Sequence, residues 1–171
     1  GPLMQHTLSV IVEDKPGVLA RVSAMFSNRG FNIHSLAVGP THVEGRSCIT
    51  LVADTPELEQ LQKQLYKLVN VIKVQELEPS SVLEREVMIV RISASPANRG
   101  EVGDTAALFD AKVIDLSANS ISFEVTGTPQ HLASFLEQMR PYGISDLVKS
   151  GRIAMKKTSG VSPSMTGSRS R

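Results

Sequence analysis

One order of apolar patterning runs through this chain twice, and few folds satisfy it. Leu8, Val10 and Val12 alternate with Ser9 and Glu13, with Ile11 also apolar, the period-two pattern of a strand with one face more buried than the other. Asp14-Lys15-Pro16-Gly17 is a turn signal. Val18, Leu19, Val22, Met25 and Phe26 then form one stripe of a helix, and Gly30 stands where a helix favours a left-handed C-terminal residue. Phe31 to Val38 and Ser47 to Ala53 read as strands about a turn region marked by Gly39-Pro40 and Gly45. Thr55-Pro56 predicts an N-cap followed by a first-turn proline. Leu58, Leu61, Leu65 and Leu68 follow at helical spacing, and Val69 to Leu77 closes with a strand.

The second half repeats the order. Glu86 to Ala94 reads as a strand; Asn98 with Glu101 predicts a capping box, and Val102, Ala106 and Phe109 share a helix face. Val113 to Leu116 and Ile121 to Val125 predict a hairpin about Ala118-Asn119. Thr128-Pro129 opens a helix with Leu132, Phe135, Leu136 and Met139 inward. Ile144 to Met155 supplies a last strand, interrupted near Gly151. The expected class is α+β: two ferredoxin-like βαββαβ sandwiches, each of four antiparallel strands with two helices on one face. The expected domains are residues 4–79 and 80–157, preceded by a protease-cleavage scar at residues 1–3. Residues 158–171 are Ser/Gly/Thr-rich without aromatics, the composition of a disordered tail. Two domains of about 75 residues are marginal alone, so the bare sheet faces invite pairing with another subunit.

Charge and composition exclude several functions. Residues 4–79 carry −1, residues 80–157 are neutral, and the tail contributes +2, so neither folded half offers the basic surface of a nucleic-acid binder. There is no Trp, and aromatics are 4% of the chain, which argues against a base-stacking platform. A single Cys excludes an internal disulfide and a Cys-rich zinc site, and fits a reducing compartment. No apolar run approaches the roughly 20 residues that span a bilayer, so no membrane partner is expected. His6, His34, His42 and His131 do not pair at metal-ligand spacing, and none sits beside Cys48, which reads as a small hydrophobe in an apolar strand. There is no phosphate-binding loop.

The strand-to-helix junction is more informative. The N–H groups of Gly17, Val18 and Leu19 would be unpaired at the helix start, where the dipole favours an anion such as a carboxylate. Asp14 could accept hydrogen bonds from an ammonium group, and together these recognise a free α-amino acid. Asp14 could equally cap the helix while Gly17 makes a turn; spacing alone favours that reading, because Asp caps helices so often. Asn32, on a strand expected to lie beside the first, either satisfies turn backbone groups or hydrogen-bonds the same amino acid. Alternation would put Asn32, His34 and Leu36 on one face and Phe31, Ile33 and Ser35 on the other. Arg21 and Arg29 are expected to be solvated on the polar side of the first helix.

Asp14-x-Pro-Gly17-Val18-Leu19-Ala-Arg21-Val22, Phe26 and Arg29-Gly30-Phe31-Asn32-Ile33 resemble the ACT domain, a small amino-acid-sensing βαββαβ module. A longer set resembles the regulatory (small) subunits of acetolactate synthase: Arg29 to Thr41, Gln64 to Val69, Glu84 to Met88, Ile114-Asp115, Glu124 to Gly127 and Ser150-Gly151-Arg152-Ile153-Ala154. The resemblance covers nearly all of residues 4–157. It implies a subunit with no active site of its own, which activates a separate large catalytic subunit carrying thiamine diphosphate, Mg²⁺ and FAD. It also implies feedback inhibition by valine, leucine or isoleucine, valine foremost, bound between two ACT domains of a homodimer. The contacting positions map onto Asp14, Gly17, Val18, Leu19, Asn32 and Ile33, with no metal on this subunit. Some family members carry Asn in place of Asp14, which makes effector preference a point of difference. Bacterial cytoplasm is the expected location.

Three other functions compete. An ACT-type sensor could regulate a different enzyme. A small enzyme on the same fold would need a convergent polar pocket, which the scattered histidines do not suggest. A nucleic-acid binder would need aromatics on a basic sheet, for which Phe31 and Phe123 are poor substitutes.

Overall fold

The computed structural model describes residues 4–158; the scar expected at residues 1–3, and the expected tail beyond Thr158, lie outside the described residues. The first half forms β1 (Met4–Glu13), α1 (Val18–Ser27), β2 (Ile33–Pro40), β3 (Arg46–Thr55), α2 (Leu58–Tyr66) and β4 (Val71–Glu76). The second forms β5 (Val82–Ser93), α3 (Arg99–Ala107), β6 (Lys112–Leu116), β7 (Ser120–Gly127), α4 (Pro129–Met139), β8 (Ile144–Lys149) and β9 (Ile153–Lys156). The sheets are antiparallel and ordered β2-β3-β1-β4 and β6-β7-β5-β8. The α+β class with two βαββαβ units is the one the patterning requires.

Period-two and period-3.6 apolar positions meet in two cores. Leu8, Val10 and Val12 of β1 and Ile49, Leu51 and Ala53 of β3 pack against Val18, Val22 and Phe26 of α1 and Leu61 and Leu65 of α2. Met88, Val90 and Ile92 of β5 and Ile121, Phe123 and Val125 of β7 pack against Val102, Ala106, Leu132, Phe135 and Met139. Each of these side chains other than alanine contributes about 1.5–3 kcal/mol by leaving water. Phe135 meets Phe109 and Phe123 edge-on, with ring centroids 5.6 and 5.9 Å away.

Several local expectations are corrected. Leu19, placed in the α1 stripe, is 41% exposed at the open start of the helix. Thr55 does not cap α2: β1 reaches back to Met4 and pairs it with Thr55, so β3 continues through Thr55 and the cap position moves to Glu57. Asn98 stands at the N-cap of α3, but its Oδ1 accepts from Ser95 N–H (2.7 Å) and Ser95 Oγ–H (3.2 Å), and no capping box forms. Thr128 does cap α4, accepting from His131 N–H. The last strand is broken at Gly151 (φ +84°), so that β8 pairs with Met88–Ile92 of β5 while β9 pairs with Val82–Arg85.

Candidate functional site

The loop between β1 and α1 is pinned by backbone bonds at its start and left open at its end. Glu13 N–H donates to Asn70 O and Asp14 N–H to Gly45 O, both at 2.8 Å. These bonds moor the loop to the turn before β4 and to the β2–β3 turn. Gly17 follows at φ +81°, ψ −5°, a left-handed conformation that disfavours any side chain, and immediately precedes α1. No side chain caps α1, so Asp14 is not its cap. Val18 N–H makes only a 3.4 Å bond to Lys15 O, and among the described residues Gly17 and Leu19 N–H find no backbone acceptor. A helix N-terminus with donors left unpaired at Gly17 and Leu19 is what a carboxylate ligand requires.

One residue that the sequence reading left solvated completes this end. Arg21 is exposed but tethered: its Nη2 donates to Asn70 Oδ1 at 2.9 Å, and its Nη1 lies 3.0 Å from where a Cβ on Gly17 would stand. Helical side chains lean toward the N-terminus, so position 21 covers the turn that starts at 17. That i, i+4 spacing was the available signal. The guanidinium adds a fixed positive charge to the dipole end, with Asp14 exposed on the same loop. Arg29, past the opposite end of α1, is also held, donating to Gln64 Oε1 on α2.

Asn32 and Ile33 lie elsewhere. β3 separates β2 from β1, correcting the expectation that their strand lies beside the first. Ile33 pairs with Ala53, which pairs with His6, whereas Asp14 follows Glu13 at the other end of β1. The seven residue steps of strand from His6 to Glu13 alone span about 23 Å along the sheet between the two groups. The alternation of faces also fails here. The β2–β3 register shifts between Ile33 and Ser35, a bulge that makes His34 the extra residue. Phe31, Ile33 and Leu36 therefore all pack on the helix-side core, Ser35 turns to the opposite face, and Asn32 is exposed. Asp54 closes the bulge from both sides: its N–H donates to Asn32 O (3.0 Å), and its carboxylate Oδ2 is 2.8 Å from His34 Nε2.

Among the described residues, the remaining polar groups pair locally and are scattered over the two sandwiches. His6 meets Glu76 at 2.7 Å, His131 Nε2–H donates to Phe109 O at 2.8 Å, and Cys48 Sγ lies 3.4 Å from Ser9 Oγ. Among the described residues, no three His, Cys, Asp or Glu side chains gather to hold a metal, and no helix is long and apolar enough to cross a membrane.

Known proteins with this fold and these residues point one way. Residues 8–73 match the family model of the AHAS small subunit-like ACT domain, and residues 85–158 match that of the small subunit of acetolactate synthase. An acetolactate synthase small subunit from Mycolicibacterium smegmatis is 48% identical over 155 residues, covering 89% of this chain and 91% of the relative. A probable acetolactate synthase small subunit from Archaeoglobus fulgidus is 46% identical over 154 residues, covering 89% and 96%. The crystal structure of the acetolactate synthase small subunit from Thermotoga maritima superposes with a TM-score of 0.83 at 30% identity, covering 91% of this chain and 98% of that one. With an open helix terminus where the motif predicted one, and similarity across both sandwiches, the chain belongs to the family of acetolactate synthase small subunits.

Proposed function

We propose that this chain is the regulatory subunit that senses a branched-chain amino acid, valine foremost, and feeds that signal back on an acetolactate synthase large subunit. Family membership implies that large-subunit partner. Thiamine diphosphate, Mg²⁺ and FAD would belong to the large subunit, and the complex would work in the bacterial cytoplasm.

The observation that carries the reading is the separation of the two half-sites. One end of the sheet holds the free N–H groups, Arg21 and Asp14; the other holds Asn32 and Ile33; β2 lies at the sheet edge. A two-fold axis pairing β2 antiparallel with β2 of a second copy lays residue 33 of one chain beside residue 40 of the other. The Asp14 loop is moored to the β2–β3 turn at that same end. Each seam would then join one chain's Gly17–Leu19 amides to the other's Asn32, giving two identical sites per homodimer. The effector carboxylate would meet Gly17–Leu19 N–H and Arg21, the ammonium Asp14 or Asn32, and the side chain the apolar wall that includes Ile33. Such a site regulates only by binding one state of the complex more tightly than the other, and a coupling of about 1–3 kcal/mol suffices.

The test is complementation. Gly17→Asp and Asn32→Ala chains should each bind little valine by calorimetry. Mixed and reassorted, they should regain binding, since every heterodimer keeps one seam with Gly17 and Asn32 both intact, about a quarter of all sites on random mixing. No recovery in verified heterodimers would overturn the shared site.

A further inference from the structure

The Ser150-Gly151-Arg152 turn does nothing for the proposed effector site directly, yet it is the place where the C-terminal sandwich grips the strand that carries half of that site. We propose that this turn is the relay by which the effector's presence at Asn32 and Ile33 reaches the C-terminal domain. The relay rests on the effector reading above.

Four observations carry it. On one side, the turn is locked to β5: Ser150 N–H donates to Val87 O (2.9 Å), Val87 N–H donates to Ser150 Oγ (3.0 Å), and Ser150 Oγ–H donates to Gly151 O (2.8 Å). Val87 lies where β5 exchanges one partner strand, β9, for the other, β8. On the other side, Arg152 N–H donates to Ser35 Oγ at 2.8 Å, a bond between residues 117 apart in sequence. Gly151 approaches β2 so closely that a Cβ would stand 2.7 Å from Leu36 O and 3.3 Å from Ser35 Oγ, and its φ of +84° already disfavours a side chain. Finally, Val52, paired with Ser35 and outside the helix-side core, is fully buried, so the sheet face beneath the Arg152–Ser35 bond is closed to water.

Ser35 directly follows the bulge that separates it from Ile33. A ligand that pulls on Asn32 or Ile33 moves a short, bulged segment whose next residue is bonded to Arg152. A bulge leaves one residue outside the ladder and re-aims the strand beside it, so a contact made at Asn32 or Ile33 alters how Ser35 is presented to Arg152. The bond from the turn to Val87 then passes that change into β5, the strand central to the second sheet. The relay predicts that Ser35, Gly151 and Arg152 position the two domains and leave effector affinity alone.

The experiment uses the full chain, alone and reconstituted with its large subunit. Ser35→Ala removes the acceptor for Arg152 N–H with little risk to folding; Gly151→Ala forces the turn off β2; Ser35→Thr keeps the hydroxyl. Both alanine variants should bind valine within threefold of wild type and activate the large subunit fully. Saturating valine should inhibit those complexes less than half as strongly as wild type, with Ser35→Thr restoring inhibition. Wild-type inhibition in both alanine variants would overturn the relay while leaving the effector site standing. Loss of valine binding in Ser35→Ala would overturn it too, by making Ser35 part of the site. Absence of heat with valine, leucine and isoleucine on the wild-type protein would overturn the effector reading itself, and the relay with it.

Discussion

Replacing Gly17 with aspartate puts a carboxylate where the effector's carboxylate is proposed to bind. The backbone there is left-handed at φ +81°, so any L side chain costs about 1–2 kcal/mol of stability. The new Cβ lies 3.0 Å from Arg21 Nη1, the end of a long exposed side chain held by one hydrogen bond to Asn70, so a shift of a few tenths of an ångström relieves the clash. An anion at the helix start regains about 0.3–1 kcal/mol from the dipole. The net loss of fold stability is therefore about 1 kcal/mol, small enough for the variant to fold. Binding suffers far more. Hydrogen bonds to a charged group are worth about 1.5–3 kcal/mol, and valine would lose them while gaining repulsion from the introduced carboxylate. At about 1.4 kcal/mol per decade, affinity should fall about 10- to 150-fold. The assay is calorimetric titration with valine, paired with urea unfolding of the same samples and with valine inhibition of the reconstituted complex. A valine affinity within threefold of wild type, in a protein shown to be folded, would refute the assignment of the carboxylate to Gly17–Leu19. Gly17→Ala serves as the comparison, since it carries the same backbone strain without the charge and should lose less than tenfold.

Other outcomes follow from the same geometry. Asn32→Ala should weaken valine binding while sparing activation of the large subunit; equal loss of both, by titration and activity assay, would point to a folding role instead. Arg21→Ala should lower valine affinity about 3- to 30-fold at low salt, with Arg21→Lys recovering part of it, because a point charge replaces part of what the guanidinium supplies. Gly127→Ala should destabilise the second sandwich by about 1–3 kcal/mol in urea unfolding, since its Cβ would stand 2.7 Å from the His131 ring, which Phe109 O and the Phe109 ring hold in place.

The fold was legible because patterning and burial are local consequences of the same periodicity. Leu8, Val10 and Val12 follow the pleat, and Leu132, Phe135, Leu136 and Met139 follow the helix; all are buried on the faces their spacing requires. The caps were less legible. Asn98 and Thr55 carry the right side chains for capping, but one prefers Ser95 and the other is held in a strand by Met4. Hydrogen-bond choice among nearby partners depends on where the neighbouring element ends, which composition does not encode.

Within the candidate site the division runs between near and far. A left-handed Gly17 before a helix of free amides is written in a few consecutive residues, because turn chemistry and helix geometry act over a few bonds. That Asp14 and Asn32 stand at opposite ends of one sheet is written nowhere in the motif. It follows from β3 lying between β1 and β2, and the order of strands is set by how both helices cover one face. The bulge at His34, the reach of Arg21 to Asn70 and the bond from Arg152 to Ser35 likewise join residues distant in the chain. By itself the sequence determined the period, the two sandwiches and the open helix start; only the tertiary structure decided which of those pieces meet, because pairing across a sheet is chosen by packing rather than by neighbours along the chain.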